Sequence, residues 1–294
     1  MRNKLLLRRL AGLSLGLVVA GILMGCAQMQ VVAEDVARRA GGERAAGVVR
    51  GGSTLVSGLL PIGYEEERSI GAALALQVLA RYNGTYDDPS LTRYVNLVGQ
   101  AVALTSDRPD IDYHFAILNH DSINAFATPG GFVFLTKGLL KQIRSEAELA
   151  AVLGHEVSHI SAKHILEIMQ RNKQLSGISE AGLSAAGRNP EMFKGLIDQA
   201  AKKLLDEGLD QSKELEADRL GAVFAARVGY DPKAYVTFLE RLRTVKGDDR
   251  AFFKTHPNFS SRIAEVQTSL RALTQPLTGA LLGERFTQRV GRSL

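Results

Sequence analysis

Two histidines four residues apart, His155 and His159, bracket a glutamate at position 156. On an α-helix these histidines lie about 40° apart around the axis, so both imidazoles project from one face. Such a pair can chelate one zinc ion, and Glu156 can accept a proton from an attacking water. The flanking sequence, Leu149 to Ile160, is mostly apolar and predicts a buried helix, in which unpaired imidazoles would be costly. The pattern therefore favours a metal site over incidental histidines on a solvated helix.

A third zinc ligand must come from another segment, because catalytic zinc usually has three protein ligands. Our preferred source is the acidic stretch that contains Glu214 and Asp218, which are four residues apart and share a helical face. One of them is then a metal ligand, and the other orients a zinc-bound histidine through its second ring nitrogen. Glu207 and Asp210 are weaker candidates, and the alternative is an acidic helix face that only contacts solvent.

The segment that carries the histidine pair is predicted to be one long helix. Ser145 and Glu148 have the spacing of a capping box, and the sequence after them predicts an uninterrupted helix from 146 to about 174. On such a helix His164 lies roughly 140° from His159, which excludes it from the same metal ion. We therefore expect His164 to have a structural role.

The remaining patterns predict a fold that is mainly α with a small β-sheet (α+β). Alternating apolar residues indicate strands at 111–118 and 132–136, the second of which is either a core strand or a strand that pairs with an extended substrate. Apolar periodicity and end signals predict helices at 64–82, 89–104, 190–206, 211–228, 232–245 and about 260–273.

Composition and charge exclude several classes of protein. The chain has 294 residues, of which 45% are hydrophobic and 23% charged, which excludes a disordered chain, a collagen-like repeat and a multi-span membrane protein. Its formal net charge is +5, but Arg2, Lys4, Arg8 and Arg9 supply four of these charges. The rest of the chain is nearly neutral and has no basic stripe with interleaved aromatic residues, so we expect no nucleic-acid partner.

The amino terminus has the pattern of a secretory signal. A basic start is followed by an uncharged, largely apolar run from 10 to 25, which is shorter than the roughly 20 residues of a membrane span. Cys26, the only cysteine, follows directly and resembles the lipid-modified cysteine of a bacterial lipobox. Ala27 then favours sorting to the outer membrane. The alternative is an incidental cysteine in an uncleaved anchor.

Several motifs together carry a resemblance to a known family. The chain resembles the zincin-like zinc metallopeptidases (gluzincins) of the CAAX-prenyl protease, HtpX and BepA type, over roughly residues 60–272. The residues that carry this resemblance are His155-Glu-x-x-His159, Glu214-x-x-x-Asp218, His256-Pro257, Arg262 and the segment Asn124-Ala-Phe-Ala-Thr-Pro-Gly-Gly before the motif helix. The single amino-terminal hydrophobic segment is similar to the periplasmic lipoprotein branch of that family.

The resemblance implies roles for individual residues. The implied set is one zinc ion per chain with ligands His155, His159 and Glu214, and Glu156 as the general base. His256 and Arg262 are implied to lie near the metal as catalytic residues, with His256 either donating to the oxyanion or capping the open zinc position. The alternative is that His256-Pro257 is only a turn and Arg262 a surface residue. One departure from the family is Asp210-Gln211, which stands where Ser-Arg is common.

The expected function is a zinc-dependent endopeptidase in the periplasm of a Gram-negative bacterium. It would be anchored to the outer membrane by lipid, hydrolyse unfolded or misassembled envelope proteins, and have the outer-membrane assembly machinery as a further partner. The expected division is a signal peptide (1–25), an Ala/Gly-rich tether (26–60), a peptidase domain (61–274) and a basic tail (275–294). The alternatives are a non-proteolytic chaperone or assembly scaffold with a structural or capped zinc site, and a zinc hydrolase acting on peptidoglycan or small amides.

Overall fold

Helices dominate this computed structural model, which describes residues 62–176, 190–246, 258–272, 278–291 and 294. The helices are α1 (Tyr64–Arg81), α2 (Pro89–Ala103), α3 (Lys137–Leu140), α4 (Glu146–Ser161), α5 (His164–Ser176), α6 (Pro190–Lys202), α7 (Gln211–Val228), α8 (Lys233–Lys246), α9 (Phe259–Ala272) and α10 (Gly283–Val290). The strands are β1 (His114–Leu118), β2 (Ala125–Thr128) and β3 (Phe132–Thr136), and a π-helical turn covers Lys203–Glu207. The α+β class is confirmed.

The three strands form one sheet in the order β1-β3-β2. β3 runs parallel to β1 and antiparallel to β2, so both of its edges are occupied. The suggestion that this strand pairs with a substrate is therefore wrong, and the core-strand alternative is correct. β2 has no second strand partner among the described residues. Its four residues are all buried and show no polar alternation, which is why periodicity did not reveal it.

The helix that carries the histidine pair, α4, begins as the capping pattern predicts. Ser145 Oγ accepts a hydrogen bond from the Glu148 amide at 3.2 Å. The predicted single helix to 174 is wrong, because the chain breaks at Ala162 and Lys163 before α5 starts at His164. Lys163 adopts a left-handed φ of 56°, a conformation that usually requires glycine. Neither glycine nor proline marks this position, so the sequence carries no stop signal.

Two glycines bring α7 directly against α4. A Cβ on Gly154 would lie 2.6 Å from the carbonyl oxygen of Gly221, and one on Gly221 would lie 2.5 Å from the backbone nitrogen of His155. Both positions are too close for any side chain, so the two backbones pack without intervening atoms. This close approach places the first turns of α7 beside the histidine pair.

The carboxyl-terminal basic segment contributes to the same compact unit, which comprises Ile62–Asn172 and Pro190–Leu294. Phe286 and Val290, four residues apart on α10, are buried in the hydrophobic core. Arg285 on the same helix donates hydrogen bonds to both carboxylate oxygens of Glu146, in the first turn of α4. The sequence predicted no structure here, although the pair of apolar residues at helical spacing was a usable signal.

Candidate metal centre

His155, His159 and Glu214 each bring a ligand atom to within 4.8 Å of the other two. The two Nε2 atoms are 3.1 Å apart, and they lie 3.5 Å and 3.6 Å from the Oε2 and Oε1 atoms of Glu214, respectively. A tetrahedral zinc ion with bonds of about 2.0–2.1 Å separates its ligand atoms by roughly 3.3 Å. All three side chains are buried, and among the described residues they are the group suited to hold a metal ion. The donor set therefore fits zinc.

His155 is oriented by a carboxylate behind it. Its Nδ1 lies 2.8 Å from Oδ1 of Asp218, so this nitrogen keeps its proton, and Nε2, which faces the ligand cluster, is the nitrogen that gives up its proton when a metal binds. Burial disfavours the charged imidazole, but the charge of Asp218 and hydrogen bonds to Asp218 and Glu214 outweigh it and raise the pKa of His155 to about 9. Metal binding therefore requires loss of a proton from His155.

Asp218 is the centre of a buried network. Arg262 donates from Nε to Oδ2 at 2.9 Å and from Nη2 to Oδ1 at 2.7 Å, and Tyr235 donates its hydroxyl hydrogen to Oδ1 at 2.7 Å. Burial opposes ionisation, but the charges of Arg262 and His155 outweigh it and hold the pKa of Asp218 well below its usual range. Arg262 thus orients His155 through Asp218, and its Nη2 also lies 3.5 Å from Nδ1 of His155. Arg262 and Glu156 line the same cleft, so the predicted catalytic role of Arg262 stays a prediction.

His159 has a partner that the sequence did not predict. Its Nδ1 lies 2.8 Å from Nδ1 of His164, whose Nε2 lies 3.4 Å from Oε2 of Glu216. Burial and the charge of Lys213 lower the pKa of His164 more than Glu216 raises it, so its ring is neutral at pH 7. The neutral ring accepts a hydrogen bond from His159 at Nδ1 and donates a hydrogen bond from Nε2 to Glu216. The break at Lys163 makes this contact possible, since a continuous helix would turn His164 away.

We expect His164→Asn to weaken zinc binding by about tenfold or more, because loss of an outer hydrogen bond to a metal-bound histidine typically costs 10–100-fold in affinity. The measurement is the zinc dissociation constant of the full chain by competition with a chromophoric chelator. His114→Asn, at an exposed position on β1, is the matched control and should leave affinity unchanged. An unaltered dissociation constant in His164→Asn would show that the contact does not support the ligand.

Glu156 lies between two narrow clefts and is only 2% exposed. One cleft has a volume of about 20 Å³ and lies between Ala127, Leu204 and Leu209. The other has a volume of about 40 Å³ and is bordered by Tyr235 and the apolar face of α8. Both are lined by Ala125 of β2 and by Glu156, so β2 borders the base and the ligand cluster directly. Such volumes hold one or two water molecules.

The predicted residues are brought together, with two exceptions that fall outside the described residues: His256 and Cys26. The alternative ligands Glu207 and Asp210 lie elsewhere. Glu207 forms an ion pair with Lys202 at 2.9 Å, and Asp210 with Lys203 at 3.4 Å. Sequence reasoning missed Tyr235, whose hydroxyl is on the Asp218 network; a buried tyrosine on the next helix carries no motif that marks it.

The region that contains the metal centre is similar to known proteins. The sequence model of Peptidase family M48 matches residues 89–270. The "Beta-barrel assembly-enhancing protease" of Yersinia pestis is 31% identical over 218 residues, covering 70% of this chain and 44% of that protein. The "Mitochondrial metalloendopeptidase OMA1" of Schizosaccharomyces pombe is 32% identical over 183 residues, which cover 60% of this chain and 52% of that protein. "Metalloprotease LoiP" of Escherichia coli K12 is 26% identical over 151 residues, which cover 51% of this chain and 60% of that protein. The chain spans less than half the length of the Yersinia relative.

Proposed function

The chain belongs to peptidase family M48, and on this premise we propose that it is a zinc-dependent endopeptidase that hydrolyses unfolded or misassembled envelope proteins. The observation that carries the proposal is the cluster of His155, His159 and Glu214 with Glu156 beside it. In this cluster the two Nε2 atoms are 3.1 Å apart, and each lies 3.5–3.6 Å from an oxygen of Glu214. When bound, the ion supplies Lewis-acid activation of the scissile carbonyl and of the attacking water. The side chains of the protein hold and orient the ligands and accept the proton.

Glu156 is the proposed general base. It follows a metal ligand directly on a buried helix, and the low exposure around it excludes bulk water from the reacting atoms. Asp218 holds His155 in one tautomer and His164 does the same for His159, so both ligands are fixed before substrate arrives. His256 is proposed either to donate to the oxyanion or to cap the open metal position.

The backbone of β2 is the proposed binding edge for substrate. The amide of Thr136 on β3 donates to the carbonyl of Asn124. In an antiparallel pair every second residue bonds to the partner strand, so the backbone N–H and C=O groups of Ala127, three residues after Asn124, point to the opposite edge. Glu156 lies at that edge. An extended polypeptide can add to such an edge as a further strand. This geometry favours a protein substrate over peptidoglycan or small amides.

The proposed location is the periplasmic face of the outer membrane. Supporting it are the secretory pattern of 1–25, the lipobox-like Cys26 before the 26–60 tether, and relatives whose name is "Beta-barrel assembly-enhancing protease". On the same support, the outer-membrane assembly machinery is a proposed partner. Within the described ranges, no helix is both long and apolar enough for a membrane span.

The test is cleavage by the full chain of an unfolded protein, carboxymethylated casein, beside purified peptidoglycan fragments. We expect casein cleavage that is lost on chelation and restored by zinc, with no release from peptidoglycan. A chelator-resistant activity, or hydrolysis of peptidoglycan alone, contradicts the proposal. The narrow clefts favour a second candidate, a scaffold with a capped site, which predicts bound zinc without cleavage of casein.

A further inference from the structure

A large cleft lies apart from the metal centre, between α2, α10 and the start of α4. Its volume is about 600 Å³, and it shares no lining residue with the two clefts beside Glu156. That volume is in the range of small-molecule sites, roughly 300–1,000 Å³. Its closest link to the metal centre is Glu146, nine residues before His155 on α4 and therefore about 13 Å away along the helix axis.

Three arginines line this cleft: Arg93 on α2, and Arg285 and Arg289 on α10. Arg285 is paired with Glu146, whereas Arg93 and Arg289 form no ion pair or side-chain hydrogen bond with any described residue. Arg285 and Arg289 are four residues apart, a spacing at which like charges on a helix repel. The cleft thus concentrates positive charge on a chain that, outside its first 25 residues, is nearly neutral.

Glu146 cannot neutralise the two unpaired arginines. Its carboxylate already accepts hydrogen bonds from the hydroxyls of Tyr94 at 2.7 Å and Tyr230 at 2.6 Å, as well as from Arg285. Burial of this carboxylate raises its pKa, but these hydrogen bonds outweigh that effect and lower the pKa of Glu146. The carboxylate therefore stays ionised at neutral pH. With one carboxylate against three guanidinium groups, the lining carries a net charge of +2.

The wall beside the arginines is apolar. Leu97 and Val98 follow Arg93 on α2 by four and five residues, and Leu97 is 64% exposed, so it offers apolar surface to a ligand in the cleft. A ligand that satisfies both features combines an anionic oxygen group with a short apolar body. Guanidinium groups match the geometry of phosphate and carboxylate oxygens bidentately.

We propose that this arginine cleft binds an amphiphilic oxyanion, with its phosphate or carboxylate group between Arg93 and Arg289 and its apolar part on Leu97. The proposal is independent of the proposed peptidase function, because none of these residues contacts the metal ligands. Phosphate and carboxylate share the recognition chemistry, and the experiment separates them.

The test is isothermal titration of the full chain with n-hexyl phosphate, hexanoate and n-hexyltrimethylammonium, which have the same apolar chain and different head groups. We expect the phosphate, the carboxylate or both to bind, and the cation not to bind. In Arg93→Gln/Arg289→Gln the affinity should fall at least about tenfold, since two charge-assisted contacts are lost. Arg271→Gln, at an exposed position on α9, is the matched control and should bind as the wild type does.

Each outcome decides the proposal. Tighter binding of hexyl phosphate assigns the site to phosphate esters, and tighter binding of hexanoate assigns it to carboxylates. Binding of the cation as strong as that of the anions, equal affinity in the double variant and the wild type, or no binding of either anion overturns it. Both substituted arginines are exposed and unpaired, so the double variant should keep the melting temperature of the wild type.

Discussion

Glu156→Gln should lower the rate of peptide hydrolysis by about 10²–10⁴-fold, the usual contribution of a general base. The substitution keeps the shape of the side chain but removes the group that accepts the proton from the attacking water. Since Glu156 is not one of the three clustered ligands, zinc content and melting temperature should match the wild type. The measurements are the initial rate of casein cleavage and the zinc content by atomic absorption.

Glu240→Gln, at an exposed position on α8, is the matched control for this variant and should cleave casein at the wild-type rate. If Glu156→Gln also cleaves at that rate, Glu156 is not the base. The same variant separates the two candidate functions. A peptidase role predicts that it fails to complement an envelope defect of a deletion strain, whereas full complementation favours the scaffold.

Asp218→Asn should lower the free energy of unfolding of the metal-free protein by about 3–5 kcal/mol, the cost of leaving a buried charge without its partner. Arg262 is buried and directs two hydrogen bonds to this carboxylate, which nothing else on the described network replaces. The zinc dissociation constant should also rise, because His155 loses the charged acceptor at Nδ1. Chemical denaturation with chelator present measures the first effect, and chelator competition the second.

Two controls define the origin of this loss. Asp121→Asn removes an exposed carboxylate that pairs with the exposed Lys141, and it should leave the free energy of unfolding close to that of the wild type. Asp218→Asn/Arg262→Met removes both buried charges and should recover part of the stability. An unfolding free energy of Asp218→Asn within 1 kcal/mol of the wild type would contradict the network argument.

The pH dependence of this effect follows from the lowered pKa of Asp218. The stabilisation from this carboxylate is fully present above its unfolded pKa of about 3.9 and is lost as pH falls through the lower folded pKa. The stability difference between wild type and Asp218→Asn should therefore shrink below about pH 4. It should also shrink as pH rises from about 6.5 to 9, because Asp218 raises the pKa of His155 to about 9 and that contribution is lost over this range. Denaturation curves at pH 9, 7, 5 and 3 measure it.

Local sequence patterns were enough to identify the chemistry of the metal centre. His155 and His159 share a face because helical periodicity is a local property, and Glu214 and Asp218 share one for the same reason. Their spacing therefore identified which side chains point together before any packing was known. The bounds of α7, which the structure places at Gln211–Val228, were equally local, since glycine at 229 ends the helix in a left-handed conformation.

The groups that surround those ligands could not be identified in this way, because they come from segments that are distant in the sequence. The contact of His164 with His159 depends on a lysine in a left-handed conformation, which no local preference predicts. The pairing of Arg262 with Asp218 and the arginine cleft each join segments more than 40 residues apart. The order of the strands, which makes β2 the edge beside Glu156, likewise depends on which strands form hydrogen bonds with each other. The regular repeat of side-chain positions describes one helix or strand at a time, whereas these contacts arise from how helices and strands pack together.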